Sequence, residues 1–195
     1  MKAKVLLIAL MALMMISCGG GESENAVPRR YAYPRPALYP QTYVSAGGAP
    51  SLSLNAGAEI VADSLLNNGS RWVTVDYPHY NGSIYITFLA TTPAEFHREF
   101  ENRMERIGLN AGAGSMESVT VASEGGGFRG ELFSTRGESV SPVQFLAYNK
   151  DLTLLTYGTF NFRQGVDVTR TDSLAPVINA VRNDMIHLLK HLDDK

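Results

Sequence analysis

The sequence predicts an α+β domain: a mainly antiparallel β-sheet of about six strands covered by two amphipathic helices, in the order ββα-ββββ-α. Three patterns predict it. Short runs alternate apolar and polar residues with a period of two, the signature of strands with one buried side. Tight turn sequences join these runs, so neighbouring strands are antiparallel. Two longer stretches change to 3–4 spacing, and their apolar stripes are available to cover the sheet.

The elements become legible at Arg71. Val73, Val75 and Tyr77 fall on one side of a strand over residues 71–77, and Ile84, Ile86 and Phe88 repeat the pattern over residues 83–90. Pro78-His79-Tyr80 leads into Asn81-Gly82, the strongest short-range hairpin signal. Thr92-Pro93-Ala94-Glu95 then fits a capping box with proline at the first helical position, where its absent N–H costs nothing. Phe96, Phe100, Met104 and Ile107 form the stripe of this helix, and Gly108 is its expected stop. Val119 and Val121 mark a third strand, residues 128–134 a fourth, and residues 142–149 with 152–160 a hairpin around Asn149-Lys150-Asp151. The last element is a long helix from about Ser173, where Leu174, Val177, Ile178, Val181, Met185, Leu188, Leu189 and Leu192 keep helical spacing. Pro176 falls in its first turn, which tolerates it.

The amino terminus has a different logic. Lys2 and Lys4 precede an apolar run over residues 5–16, and Ser17 separates that run from Cys18, the only cysteine. This is a secretory leader with a basic start, an apolar middle and a small residue before the cut. A cysteine at the cut resembles a bacterial lipobox, in which the thiol is acylated and Cys18 becomes the new amino terminus. The run is shorter than the roughly 20 residues that span a bilayer. Residues 1–17 are therefore read as a lipoprotein signal peptide, and residues 18–45 as an acylated terminus, a flexible tether and a Pro/Tyr-rich segment. Residues 46–70 are a Gly/Ala-rich lead-in that shows no clear pattern, and residues 71–195 are the globular domain. Within residues 28–40, four prolines and three tyrosines favour an extended path. A plain linker and an aromatic strap lying on a partner both fit that composition.

Composition narrows the function. With a single cysteine there is no internal disulfide and no thiolate metal site. Without Lys2 and Lys4 the basic residues fall from 17 to 15 against 19 acidic, a formal net charge of −4. That balance and the lack of a basic cluster argue against a nucleic-acid partner. Acyl chains on Cys18, rather than electrostatics, would hold the protein at a membrane. Gly19 lacks the aspartate that retains many enterobacterial lipoproteins at the inner membrane, which favours the outer one.

Candidate chemistry is sparse. The glycines of Glu124–Gly130 are flanked by strands on both sides and read as a hairpin turn rather than a phosphate cradle. His187 and His191, spaced i, i+4, share a helix side, but the glutamate of a zinc-protease pair is missing. Asp76 beside His79 resembles part of a triad without a nucleophile elbow. Phe96, Phe100, Phe145 and Phe160 are candidates to line an apolar ligand cavity, or else to pack in the core. No cofactor is expected, and no enzyme activity. A partner surface is best sought at Tyr31, Tyr33 and Tyr39 and at the Ser141-Pro142 turn beside Gln144, where a Ser-Pro pair makes a fixed corner.

Several of these segments occur in an order that resembles the gliding-motility lipoprotein GldD family of Bacteroidota. They are the lipobox cysteine, Pro34-Arg35-Pro36, the stretch from Trp72 to Pro78 leading to Phe88, and Gly137 through Phe145. Tyr157 with Phe160 and Phe162 follows, and then Asn183-Asp184 with His187. The resemblance implies an accessory envelope lipoprotein of the gliding machinery, coupled to type IX secretion and working through contacts with other envelope proteins. It implies no catalytic residue.

Overall fold

The structure, a computed structural model, describes residues 40–48, 50–112 and 114–193. Cys18, Tyr31, Tyr33 and Tyr39 lie outside these residues. The described chain runs β1 (Tyr43–Ala46), β2 (Leu52–Asn55), β3 (Glu59–Leu65), β4 (Arg71–Tyr77), β5 (Gly82–Ala90), α1 (Pro93–Ala111), β6 (Ser115–Ala122), β7 (Phe128–Arg136), β8 (Val143–Asn149), β9 (Leu154–Phe162) and α2 (Thr171–Lys190). From β4 onward this is the expected ββα-ββββ-α order. Three strands precede it that the sequence patterns did not reveal.

Strands β3 to β9 form one antiparallel sheet in the order β3-β4-β5-β9-β8-β7-β6. It consists of two meanders, β3-β4-β5 and β6-β7-β8-β9, joined side by side at β5 and β9. Helix α1 carries the chain from β5 in the middle to β6 at the far edge. Alternation along each strand then divides the side chains between two faces. On one face Val73, Val75, Ile84, Ile86, Phe145 and Phe160 meet Val177, Val181, Met185 and Leu188 of α2, and Leu52 and Leu54 of the β1–β2 hairpin. On the other face Phe133, Leu146 and Leu155 meet Ile107 of α1, with Phe96, Phe100 and Met104 half-buried around them. The four phenylalanines, candidates either for a cavity lining or for core packing, are split between the two clusters, Phe145 and Phe160 on the α2 face, Phe96 and Phe100 on the α1 face.

The ends of α1 depart from their sequence signals in an instructive way. Thr92 is the N-cap, but its hydroxyl donates to the Glu95 carboxylate at 2.9 Å instead of accepting a backbone N–H. The backbone N–H groups of Glu95 and Phe96 go to the Thr92 carbonyl. The helix also passes through Gly108, because burying Ala111 one turn beyond Ile107 extends the stripe. It stops at Gly112, whose φ of 57° is open to glycine and costly for most other residues.

The β1–β2 hairpin and the edge strand β3 are tied to the sheet by one side chain. Arg71 is 4% exposed. Its guanidinium binds both carboxylate oxygens of Asp63 on β3, at 2.8 and 2.6 Å, and donates to the carbonyls of Pro50 (3.0 Å) and Gly47 (3.1 Å). Its planar group also lies 5.7 Å above the Phe88 ring. Gly48 adopts φ 122° beside it, and a Cβ there would overlap the guanidinium. A fork of fixed N–H donors is what this arrangement needs, and lysine offers none. Asp63 is held below the ordinary carboxylate range, first by the hydrogen bonds from Arg71.

Arg71→Met should therefore cost about 1–3 kcal/mol, the range for leaving buried hydrogen-bond acceptors unpaired, since the Asp63 carboxylate left behind is partly in water. Chemical denaturation will measure the loss. Hydrogen exchange should show it concentrated in β1, β2 and β3, with β7 and β8 still protected; uniform loss across the sheet would contradict the local role given to Arg71.

Candidate functional site

The residues nominated from sequence fall in different settings. Ser141 donates to the Asn161 side chain at 2.6 Å, and its N–H reaches the Ser139 hydroxyl. Pro142 and Gln144 are buried, and Gln144 accepts a hydrogen bond from Asn110 of α1 at 2.9 Å. The Asn110–Gln144 bond thus fastens α1 to the sheet. Asp76 accepts from the Ser83 hydroxyl at 2.8 Å and pairs with Arg163. Burial pushes its pKa up, but the bonds from Ser83 and Arg163 outweigh that and hold it low. This carboxylate locks the ends of β4, β5 and β9 together. Glu124–Gly130 is the expected β6–β7 turn, with Ser123 accepting the Phe128 N–H at 2.9 Å.

The two helix histidines join a cluster that sequence reading did not assemble. His187 is stacked between Tyr43, with ring centroids 3.4 Å apart, and His191, at 4.0 Å. Its Nε2 is 2.9 Å from the Ser53 hydroxyl. One turn back along α2, Asp184 is 3% exposed and receives the Tyr43 hydroxyl at 2.9 Å and the Asn55 amide at 3.3 Å, both on Oδ1. Its Oδ2 is buried without a hydrogen-bond partner among the described residues. Burial raises the Asp184 pKa against the pull of these donors, burial and the Asp184 charge raise that of Tyr43, and burial lowers that of His187. Among the described residues no three potential ligands are gathered to hold a metal ion. Chemically, the cluster is a latch. It joins β1 and β2 to α2 through one carboxylate and one ring stack, and it draws the polar ends of Tyr43, Ser53 and Asn55 inward. A signal for it exists in sequence: Asp184 sits three residues after Val181 and four before Leu188, inside the apolar stripe.

Among the described residues, an extended surface is left uncovered on the α1 side of the sheet. Helix α1 packs on β8 and β9, and the β3-β4-β5 half of that face stays open. Its cross-strand rows read Ser64–Trp72–Thr87–Tyr157 and Ala62–Thr74–Tyr85–Thr159. Trp72 is 55% and Tyr85 51% exposed. Of the exposed large apolar side chains, Trp72 and Tyr85 lie on neighbouring rows of this face, whereas Ile60 and Leu65 of β3, opposite Val75 and Arg71, belong to the other one. At the border with α1, the Arg103 guanidinium lies flat on the Tyr157 ring at 4.1 Å. Its Nε is buried without a hydrogen-bond partner, and no carboxylate pairs with it among the described residues. Alternation with Val73 and Val75 places Trp72 outward, so this much was readable from sequence.

Protonation links the latch to stability. A raised Asp184 pKa means its contribution is fully present below the unfolded value of about 3.9 and is lost as pH rises through the folded value. His187 acts in the opposite sense, contributing above about 6.5 and less as pH falls. Asp184→Asn should gain in Tm over wild type as pH is raised from about 4 to about 8, by a few degrees for each ~1 kcal/mol. Thermal scans across that range test it, and a pH-independent difference would contradict a buried, ionising Asp184.

No curated protein matches the sequence. The family model for gliding motility lipoprotein GldD matches residues 23–193, a span that takes in every described strand and both helices. The chain belongs to the gliding motility lipoprotein GldD family.

Proposed function

We propose that this gliding-motility lipoprotein is an accessory component of the gliding and type IX secretion apparatus, held by acyl chains on Cys18 and acting by binding other envelope proteins, without catalysis. The family assigns it to the cell envelope with a lipid anchor; the residue that carries the lipid, the outer membrane as its location and the mode of action are our reading. Among the described residues no helix is long and apolar enough to cross a membrane. The observation that carries the interaction reading is the open face with Trp72 and Tyr85. Leaving a tryptophan and a tyrosine half in water on a flat sheet forgoes burial at about 25 cal/mol per Å² of apolar surface. Patches of this kind mark contact sites. The polar side chains best placed for chemistry, Asp76 and Asp184, are already engaged in joining structural elements. A cleft of about 230 Å³ beside Phe100, Met104, Leu146 and Tyr148 is smaller than ordinary ligand pockets of roughly 300–1,000 Å³. Two larger clefts of about 430 and 420 Å³ lie against β6–β7, one lined by Arg136, Asp172 and Arg182 and the other by Arg129 and Lys150.

Two measurements test this. Cys18→Ala should abolish labelling by a palmitate analogue and release the protein from membranes, whereas labelling retained in the variant would rule out Cys18 as the acceptor. A photo-crosslinker at position 85 of the intact lipoprotein should trap components of the gliding or secretion apparatus in living cells. The same crosslinker at Val140, exposed on another part of the surface, should trap them much less. Equal yields at the two positions would count against the open face.

A further inference from the structure

The open face has a definite width, a definite chemistry and one unmatched charge. Three strands spaced at about 4.8 Å make a floor roughly 14 Å wide, close to the 10–12 Å of one α-helix with its side chains. The other half of the same face already shows the solution the fold uses, α1 lying on β8 and β9. The two rows around the rings, Ala62, Ser64, Trp72, Thr74, Tyr85 and Thr87, are uncharged; the next row carries Glu59 and Asp76, the latter engaged by Ser83 and Arg163. Its inner wall presents Arg103, stacked on Tyr157 and lacking a carboxylate among the described residues.

We propose that this half-open face seats one amphipathic α-helix of a protein partner, lying beside α1 with its apolar stripe on Trp72 and Tyr85 and a carboxylate against Arg103. The inference rests on the interaction reading above and specifies the kind of partner. A strand adding to the edge of β3 is a poorer occupant. The register slips between Ile60 and Ala62, and such a bulge blunts an edge. A second copy of this chain would bring a second Arg103, and its acids on this face are Glu59 on the far strand and Asp76, already engaged by Ser83 and Arg163. A lipid surface would meet hydroxyls at Ser64, Thr74 and Thr87 where hydrocarbon is favoured.

Trp72 is the only tryptophan, so its emission reports on this face alone. The acylated full chain would be placed in phosphatidylcholine vesicles and titrated with two synthetic amphipathic helices of about 18 residues, five turns. Both share one leucine stripe without tryptophan; one has glutamates on its flanks and the other lysines. The glutamate helix should shift Trp72 emission to the blue and saturate, at least about tenfold tighter than the lysine helix. Arg103→Glu should reverse that order, and Tyr85→Asp should abolish binding of both while leaving the thermal transition in place. Equal binding of both helices, or no effect of Arg103→Glu, would overturn the proposal. So would quenching of Trp72 by brominated acyl chains before any helix is added, which would place the face on lipid. A blue shift that depends on protein concentration alone would assign it to a second copy. If these titrations fail while crosslinking from position 85 still traps apparatus components, the helix is wrong and the contact face stands; if both fail, the interaction reading falls with it.

Discussion

Arg71 is the side chain on which the asymmetry of this molecule depends. Strand alternation turns it toward α2 and turns its neighbour Trp72 to the opposite side. Inside, its fork of donors gathers the edge strand β3 and the 46–51 turn of the hairpin around a single buried charge. Asp63 neutralises that charge while remaining partly in water, and the two backbone carbonyls complete the donors' hydrogen bonding. A buried ion pair of this kind gives little net stability, but it gives register and position. Here it fixes where β3 lies, and β3 is the outer border of the open face.

The two faces are covered by different means. The α2 face is closed twice, by the helix stripe and by the β1–β2 hairpin laid across its end, and the polar latch of Asp184, Tyr43, Asn55 and His187 holds these two covers together. An uncompensated Oδ2 and a deeply buried carboxyl are costs to folding, offset by the apolar contacts on either side of them in α2. The α1 face has one cover only. Helix α1 is 19 residues long and reaches β8 and β9, so three strands of the same sheet keep their outer side in solvent.

What could be read in the sequence follows from these covers. Elements with one buried side announced themselves: β4, β5 and both helices each carry a period set by a single core, while β8 and β9, buried on both sides, were betrayed by the turn between them. Strand β3 is exposed throughout and shows no alternation, because no core acts on it. Strands β1 and β2 are only four residues each, and they are placed by partners far along the chain, Asp184 and Arg71. Ser141, Pro142 and Gln144 illustrate the opposite error. A Ser-Pro corner is a surface signal in general, but in this chain the corner opens β8, whose alternate residues are buried on both faces. Gln144 looks polar in sequence and is consumed by Asn110 of α1. The outward position of Trp72 was implicit in the alternation of its neighbours, yet only the placement of α1 shows that nothing in the described chain covers it.

An exposed tryptophan on a sheet can be a tolerated accident or a retained feature, and its surroundings distinguish the two. An isolated apolar residue on a surface needs no explanation. Trp72 has Tyr85 on the adjoining row, small hydroxyl side chains between them and an arginine stacked at the wall. Threonine and serine there keep the floor level and leave the rings as the only large features, while β3 closes the outer side with a bulged edge that discourages strand pairing. Flatness, ring area and a single unmatched cation are three separate properties, set by residues on β3, β4, β5, β9 and α1. Core packing demands none of them, since all of these residues point away from the larger core or lie at its margin. They coincide on a half-face that neither helix of the described residues covers, which is the arrangement expected if another chain completes the layer.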